Sequence, residues 1–113
     1  MKDCIFCKII AKEIPSKVVY EDDYIMAFHD IEPQAPTHVV IIPKEHIASL
    51  NDLSDEHNNL IGHIFLSIKN IANTLGLKEG YRVVSNCGDL GGQTVDHIHF
   101  HLLGGRQLQW PPG

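Results

Sequence analysis

Between residues 97 and 103 the chain reads His-Ile-His-Phe-His-Leu-Leu, an alternation that constrains the fold more than any other stretch. Side chains on an extended strand point to opposite faces in turn. A strand over His97–Leu103 therefore puts His97, His99 and His101 on one face and Ile98, Phe100 and Leu102 on the other. The apolar row needs a core beneath it, and that core holds the polar row in place. Same-face neighbours on a strand stand roughly 6.6 Å apart at the backbone, so imidazoles in line cannot all serve one atom equally. A division of roles among the histidines is expected.

The remaining elements arrange themselves around this strand. Asp3 suits the N-cap of a short helix over Cys4–Ala11, in which Phe6, Ile9 and Ile10 recur at helical spacing, and Ile14-Pro15-Ser16 ends it. Lys17–Glu21 and Tyr24–His29 read as a hairpin turning at Asp22-Asp23, followed by a proline-bearing loop and the β-branched run His38–Pro43, a central strand. Lys44–Leu50 reads as a turn or helical piece. Ser54 as N-cap, acidic Asp55 and Glu56, and a stop at Gly76 bracket a long amphipathic helix whose apolar stripe includes Leu60, Ile64, Ile68 and Ile71. A fourth strand, Tyr81–Ser85, leads through a glycine-rich loop into the histidine strand, and the Gly- and Pro-rich tail is irregular. The expectation is an α+β domain: a five-stranded antiparallel sheet with one long and one short helix.

A chain of 113 residues fits one domain spanning residues 1–113, with room for a real core. No run approaches a membrane span, and Met1-Lys2-Asp3-Cys4 lacks the layout of a signal peptide, so a soluble cytoplasmic protein with no membrane partner is expected. A net charge of −5 argues against nucleic acid as a partner but leaves room for a small phosphate ligand. His29, His57 and His63 read as structural. Three cysteines cannot all pair, and Cys4-x-x-Cys7 instead has the spacing of two metal-binding thiolates, although such a pair is an incomplete ligand set. Cys87 reads as a small loop residue.

Two chemistries compete for the alternating histidines. A zinc site built from the three of them is opposed by geometry, because tetrahedral coordination at about 2.0–2.1 Å is poorly supplied by side chains in line on one strand. Nucleophilic attack on phosphorus fits better. A neutral imidazole carries a usable lone pair near pH 7, and a neighbouring imidazole can protonate an amine leaving group. The central His99 is then the attacker.

In its motifs the sequence resembles the histidine triad (HIT) family, specifically its Hint branch of nucleotide hydrolases. The motifs are Phe28-His29-Asp30-Ile31, Pro36-Thr37-His38, Ile42 to Ile47, Gly91-Gly92-Gln93-Thr94-Val95, His97 to His101, and Gly104-Gly105-Arg106 through Trp110-Pro111-Pro112-Gly113, together spanning nearly the whole chain. Thr94 stands where relatives more usually carry Ser. The resemblance implies a homodimer that continues the sheet. It also implies hydrolysis of purine nucleoside 5′-phosphoramidates or acyl-nucleotides through a nucleotidyl-histidine intermediate, with a purine mononucleotide as ligand. His99 would be the nucleophile, His101 its phosphate-binding and proton-handling partner, and His38 a supporting imidazole. Asn86, Gly92, Gln93 and Thr94 would surround the phosphate, and Asp30 would accept bonds from the ribose. Phe6, Ile9, Ile14, Phe28, Ile31 and Val40 would form the base pocket, although each apolar residue would serve equally as core. Trp110 would pack across the dimer near the substrate mouth, or cover the core.

Cysteine-bearing members of that family complete a zinc site with the histidines matching His46 and His97, so the resemblance implies a closed, structural Zn2+ site from Cys4, Cys7, His46 and His97. The chemistry itself would require no cofactor. Two alternatives stand beside this reading: a dinucleoside polyphosphate hydrolase of the same superfamily, and a nucleotide- or zinc-binding interaction protein whose catalysis is incidental.

Overall fold

The computed structural model describes residues 3–113 and builds a five-stranded antiparallel sheet in the order β1-β2-β3-β5-β4. In chain order the elements are α1 (Ile5–Ile10), β1 (Val18–Glu21), β2 (Ile25–His29), β3 (Thr37–Pro43), α2 (Asn58–Thr74), β4 (Tyr81–Val84) and β5 (Phe100–Gly104). Short 3-10 turns at Leu50–Asp52 and Asp55–His57 lead into α2. The expected α+β class is what the molecule adopts, and no helix among the described residues is long and apolar enough to cross a membrane.

β3 is the centre of the domain. Its run Val39-Val40-Ile41-Ile42 is buried throughout because both faces of the sheet are covered. One face presents Ile25, Ala27, Val39, Ile41, Phe100 and Leu102 to Ile64, Ile68 and Ile71 of α2. The other presents Met26, Phe28, Val40 and Ile42 to Phe6 and Ile9 of α1. β3 pairs with β5 in the register Val39↔Leu102 and Val40↔His101, so His101 emerges on the α1 side beside Val40.

Ser54 precedes a 3-10 turn, and the α-helix proper begins only at Asn58. His57 makes this entry by accepting the Ser54 N–H on Nδ1 at 3.0 Å, while its Nε2 lies 3.2 Å from Glu45 Oε2. At the other end Gly76 adopts φ +78°, and the Leu77 N–H closes back on the Ala72 carbonyl at 2.9 Å. This left-handed cap explains the stop at glycine.

The histidine strand is shorter than its alternation predicts. β5 begins at Phe100, and His97, Ile98 and His99 are irregular backbone. The Ile98 N–H leaves the ladder to donate to the Ile47 carbonyl at 2.6 Å, although the Ile98 side chain still enters the α2-side core. The polar row is not a solvated face either: His97 is fully buried and His99 is 5% exposed.

Candidate functional site

Two neighbouring strands and the segment leading into one of them bring His38, His99 and His101 together. His38 sits near the start of β3, His101 faces it from β5, and His99 lies just ahead of β5. The His99 and His101 ring centroids are 5.0 Å apart and those of His38 and His101 5.1 Å. Phe6 of α1 closes the side of the site with its ring centroid 5.0 Å from that of His99, edge to face.

Hydrogen-bond partners determine where each imidazole carries its proton. His99 Nδ1 lies 2.7 Å from the His97 carbonyl, which can only accept, so Nδ1 bears the hydrogen and Nε2 keeps the lone pair. His38 Nδ1 accepts the Gln34 backbone N–H at 3.0 Å, so the hydrogen of neutral His38 is on Nε2. That Nε2–H donates to His101 Nδ1 at 2.9 Å, which leaves the His101 hydrogen on its own Nε2. A lone pair on His99 Nε2 thus stands beside an N–H on His101.

Burial reinforces the neutral forms. His101 is pushed down to about 4, first by desolvation and then by His99 and His38. His38 is lowered as well, by desolvation, against a raising effect of Asp30, whose Oδ2 lies 3.4 Å from His38 Nε2. The other Asp30 oxygen accepts the Glu32 N–H at 2.8 Å.

Asp30, His38 and His101 are close enough to suggest a metal site. Donor chemistry excludes it as they stand. The His38 nitrogen facing the cluster carries hydrogen, and the 2.9 Å separation from His101 is a hydrogen bond. As they stand, these residues form a hydrogen-bonded imidazole pair beside a carboxylate.

The second cluster passes the same test. His97 Nε2–H donates to the Pro43 carbonyl at 2.8 Å, which turns the Nδ1 lone pair toward the cysteines. That Nδ1 lies 3.3 Å from Cys4 Sγ and 3.6 Å from Cys7 Sγ, and His46 Nδ1 lies 3.3 Å from Cys7 Sγ. Zinc bond lengths place sulfur and nitrogen ligands about 3.6 Å apart across a tetrahedron. Burial and the adjacent Cys4 push the Cys7 thiol up, a penalty on the thiolate that a bound dication removes. Cys4, Cys7, His46 and His97 therefore have the donor types, orientation and spacing of a closed metal centre.

The residues expected around base and phosphate separate into groups. Phe6, Ile9, Phe28 and Val40 are buried in the smaller core with Ile14 packed against it, so they form the apolar floor under the triad. Ile31 stands 94% exposed beyond that floor. Asn86 is half-buried, whereas Gly92 and Thr94 are exposed on the glycine loop. The Gln93 side chain is committed to the loop itself: its Oε1 accepts the Gly88 N–H at 3.0 Å, and its Nε2 donates to the Ala48 and Val95 carbonyls at 2.7 and 3.0 Å. Gly91 packs so tightly that a Cβ would collide with the Cys87 carbonyl. Trp110 is exposed, with Arg82 of β4 over its ring at 6.0 Å.

Gln34 and Ser85 lie outside the motifs, and Pro43 lies within one that assigns no part to its carbonyl. Each acts through the backbone or on it, and Ser85 Oγ–H donates to the His99 carbonyl at 2.8 Å. A cleft of about 790 Å³ between the α2–β4 loop and Gly105–Leu108 contains none of the triad. The candidate chemistry belongs to the histidines on the α1-side face of the sheet, not to this cleft.

A family model described as the HIT domain matches residues 11–108. A HIT-like protein of Synechococcus elongatus is 57% identical over 112 residues, covering 99% of this chain and 98% of its own. A 14 kDa zinc-binding protein of Zea mays is 54% identical over 111 residues, with 96% and 87% covered. The crystal structure of a HIT family hydrolase from Legionella pneumophila Philadelphia 1 matches with a TM-score of 0.97 at 55% identity, covering 98% of this chain and all of that one. A histidine triad protein from Clostridium difficile matches at 0.93 and 47% identity, with 96% of each chain covered.

Proposed function

The chain belongs to the HIT domain family, and on that premise we propose that it hydrolyses purine nucleoside 5′-phosphoramidates or acyl-nucleotides to the nucleoside monophosphate. The observation that supports this reading most is the opposed pair of tautomers, a nucleophilic lone pair on His99 Nε2 and a donor on His101 Nε2 in adjacent rings. His99 Nε2 attacks phosphorus and the bond to the leaving group breaks. The charge of the bound phosphate lets the His101–His38 pair take up a proton from solvent, and an amine leaves with the His101 Nε2 proton as the pair returns to neutral. Water then attacks the nucleotidyl-His99, returns a proton to the His101–His38 pair and releases the monophosphate. An acyl leaving group departs as a carboxylate and needs no proton, so the proton released by water attack then passes to solvent.

Asp30, with a carboxylate oxygen 3.4 Å from His38 Nε2, accepts from ribose hydroxyls, and Asn86, Gly92 and Thr94 of the glycine loop braced by Gln93 hold the phosphate. The base lies against the apolar floor at Phe6 and Phe28, with Ile31 as its exposed lip. Cys4, Cys7, His46 and His97 would hold a zinc ion and supply four protein ligands to it, so its contribution would be structural, tying α1 to the backbone that carries His99. The name of the Zea mays relative supports the choice of zinc. Two copies pair in the cytoplasm along the free edge of β4, where exposed Tyr81 and Trp110 lie. Release of AMP from adenosine 5′-phosphoramidate tests the function. A much faster turnover of dinucleoside polyphosphates would instead favour that hydrolase class, and mononucleotide binding without turnover of either substrate would favour a binding protein.

A further inference from the structure

The segment carrying the nucleophile is irregular, so something other than a strand ladder must fix it. The ladder between β4 and β5 ends at the pair Val84↔His101. One residue beyond, Ser85 extends its hydroxyl to the His99 carbonyl at 2.8 Å and supplies the donor that the ended ladder no longer provides. His99 is thereby held at both of its polar ends: its ring Nδ1–H by the His97 carbonyl and its own carbonyl by Ser85. The preceding residue is fixed through the Ile98 N–H on the Ile47 carbonyl.

We propose that Ser85 is a positioning residue for the His99 nucleophile, its hydroxyl holding the His99 backbone so that Nε2 stays aimed into the site. This rests on the nucleophilic role given to His99 above. Ser85 acts through His99 and not on substrate, since its one hydrogen is already directed to the carbonyl. Without that donor the carbonyl of a residue only 5% exposed loses its partner. The peptide then turns to find another, and the ring turns with it.

The test compares Ser85→Thr with Ser85→Val in the zinc-loaded, full-length protein. The two side chains have nearly the same shape, and only threonine keeps the hydroxyl. With adenosine 5′-phosphoramidate, Ser85→Thr should stay within about twofold of the parent, whereas Ser85→Val should lose about tenfold in kcat at unchanged KM, the scale expected for a small misplacement of a reacting group. Long-range proton–nitrogen NMR of the His99 ring should show one Nδ1–H tautomer in the parent and Ser85→Thr, and a mixture in Ser85→Val. Parental kcat with an unchanged His99 ring spectrum in Ser85→Val overturns the proposal, as does a threonine variant as impaired as the valine one. If valine prevents folding, Ser85→Ala is read by the same criteria. Should the parent protein fail to hydrolyse the phosphoramidate, the functional reading falls, and the His99 ring spectrum alone still decides the role of Ser85.

Discussion

Replacing Phe6 by alanine tests the link between packing and chemistry. The ring is 9% exposed and meets three others edge to face: Phe28 and His97 at 5.8 Å and His99 at 5.0 Å. Deleting a buried phenyl ring costs about 3–5 kcal/mol. Phe6 lies on a one-and-a-half-turn helix beside the smaller core, where neighbours can relax, so the low end of about 3 kcal/mol is expected. At roughly 4–8 °C per kcal/mol for a domain slightly smaller than this one, the melting temperature should fall by about 10–20 °C. The loss of one wall beside His99 should lower kcat by about tenfold. Alanine favours helix, so Cys4 and Cys7 keep their spacing and the zinc content stays at that of the parent. Thermal unfolding followed by circular dichroism, with zinc assayed on the same sample, reads all of this. A variant melting within about 3 °C of the parent would refute the packing described. Loss of zinc with the stability loss would show that Phe6 supports the metal centre instead.

Acid should destabilise the fold through His101. Its folded value of about 4 lies below the ordinary 6.5, so the unfolded chain binds the extra proton. The stability from keeping this ring neutral is complete above about 6.5 and is lost as pH falls toward 4. His101→Asn should flatten that part of the denaturation profile relative to the parent, and an unchanged slope would contradict the assignment. Elemental analysis should find one zinc per chain, retained in Asp30→Asn and lost in Cys7→Ala; a second equivalent removed by Asp30→Asn would contradict the hydrogen-bonded reading of the triad cluster. Gly91→Ala should cost most of the turnover while zinc is retained, because the new methyl meets the Cys87 carbonyl and shifts the loop proposed to hold the phosphate. Parental kcat in that variant would show that the loop yields at no cost.

Val39–Ile42 announced a central strand because a run buried on both faces has no room for alternation. The long helix was equally legible, since its apolar stripe is a local pattern. The histidine strand was over-read for a physical reason. Side-chain alternation persists through Ile98, which does enter the core, but the backbone has already left the ladder for Ile47, and the His97 ring has turned toward the cysteines. Pattern reports where side chains go and not which carbonyl a backbone N–H finds. The same limit hid Gln34, Ser85 and the Pro43 carbonyl, whose partners are distant in sequence or lie on the main chain. The expected difference among the three histidines is visible in their partners: His97 joins the thiols, His99 is tied to a carbonyl, and His101 is joined to His38.

Mass spectrometry of the protein rapidly mixed with adenosine 5′-phosphoramidate and quenched in alkaline denaturant, where a phosphorus–imidazole bond survives, tests the covalent mechanism most directly. The account predicts a transient adduct of one AMP group, located on His99 by peptide fragmentation and abolished in His99→Ala, with the adduct longer-lived when water attack is slowed. AMP released in a single turnover with no adduct, or an adduct on a residue other than His99, would contradict it.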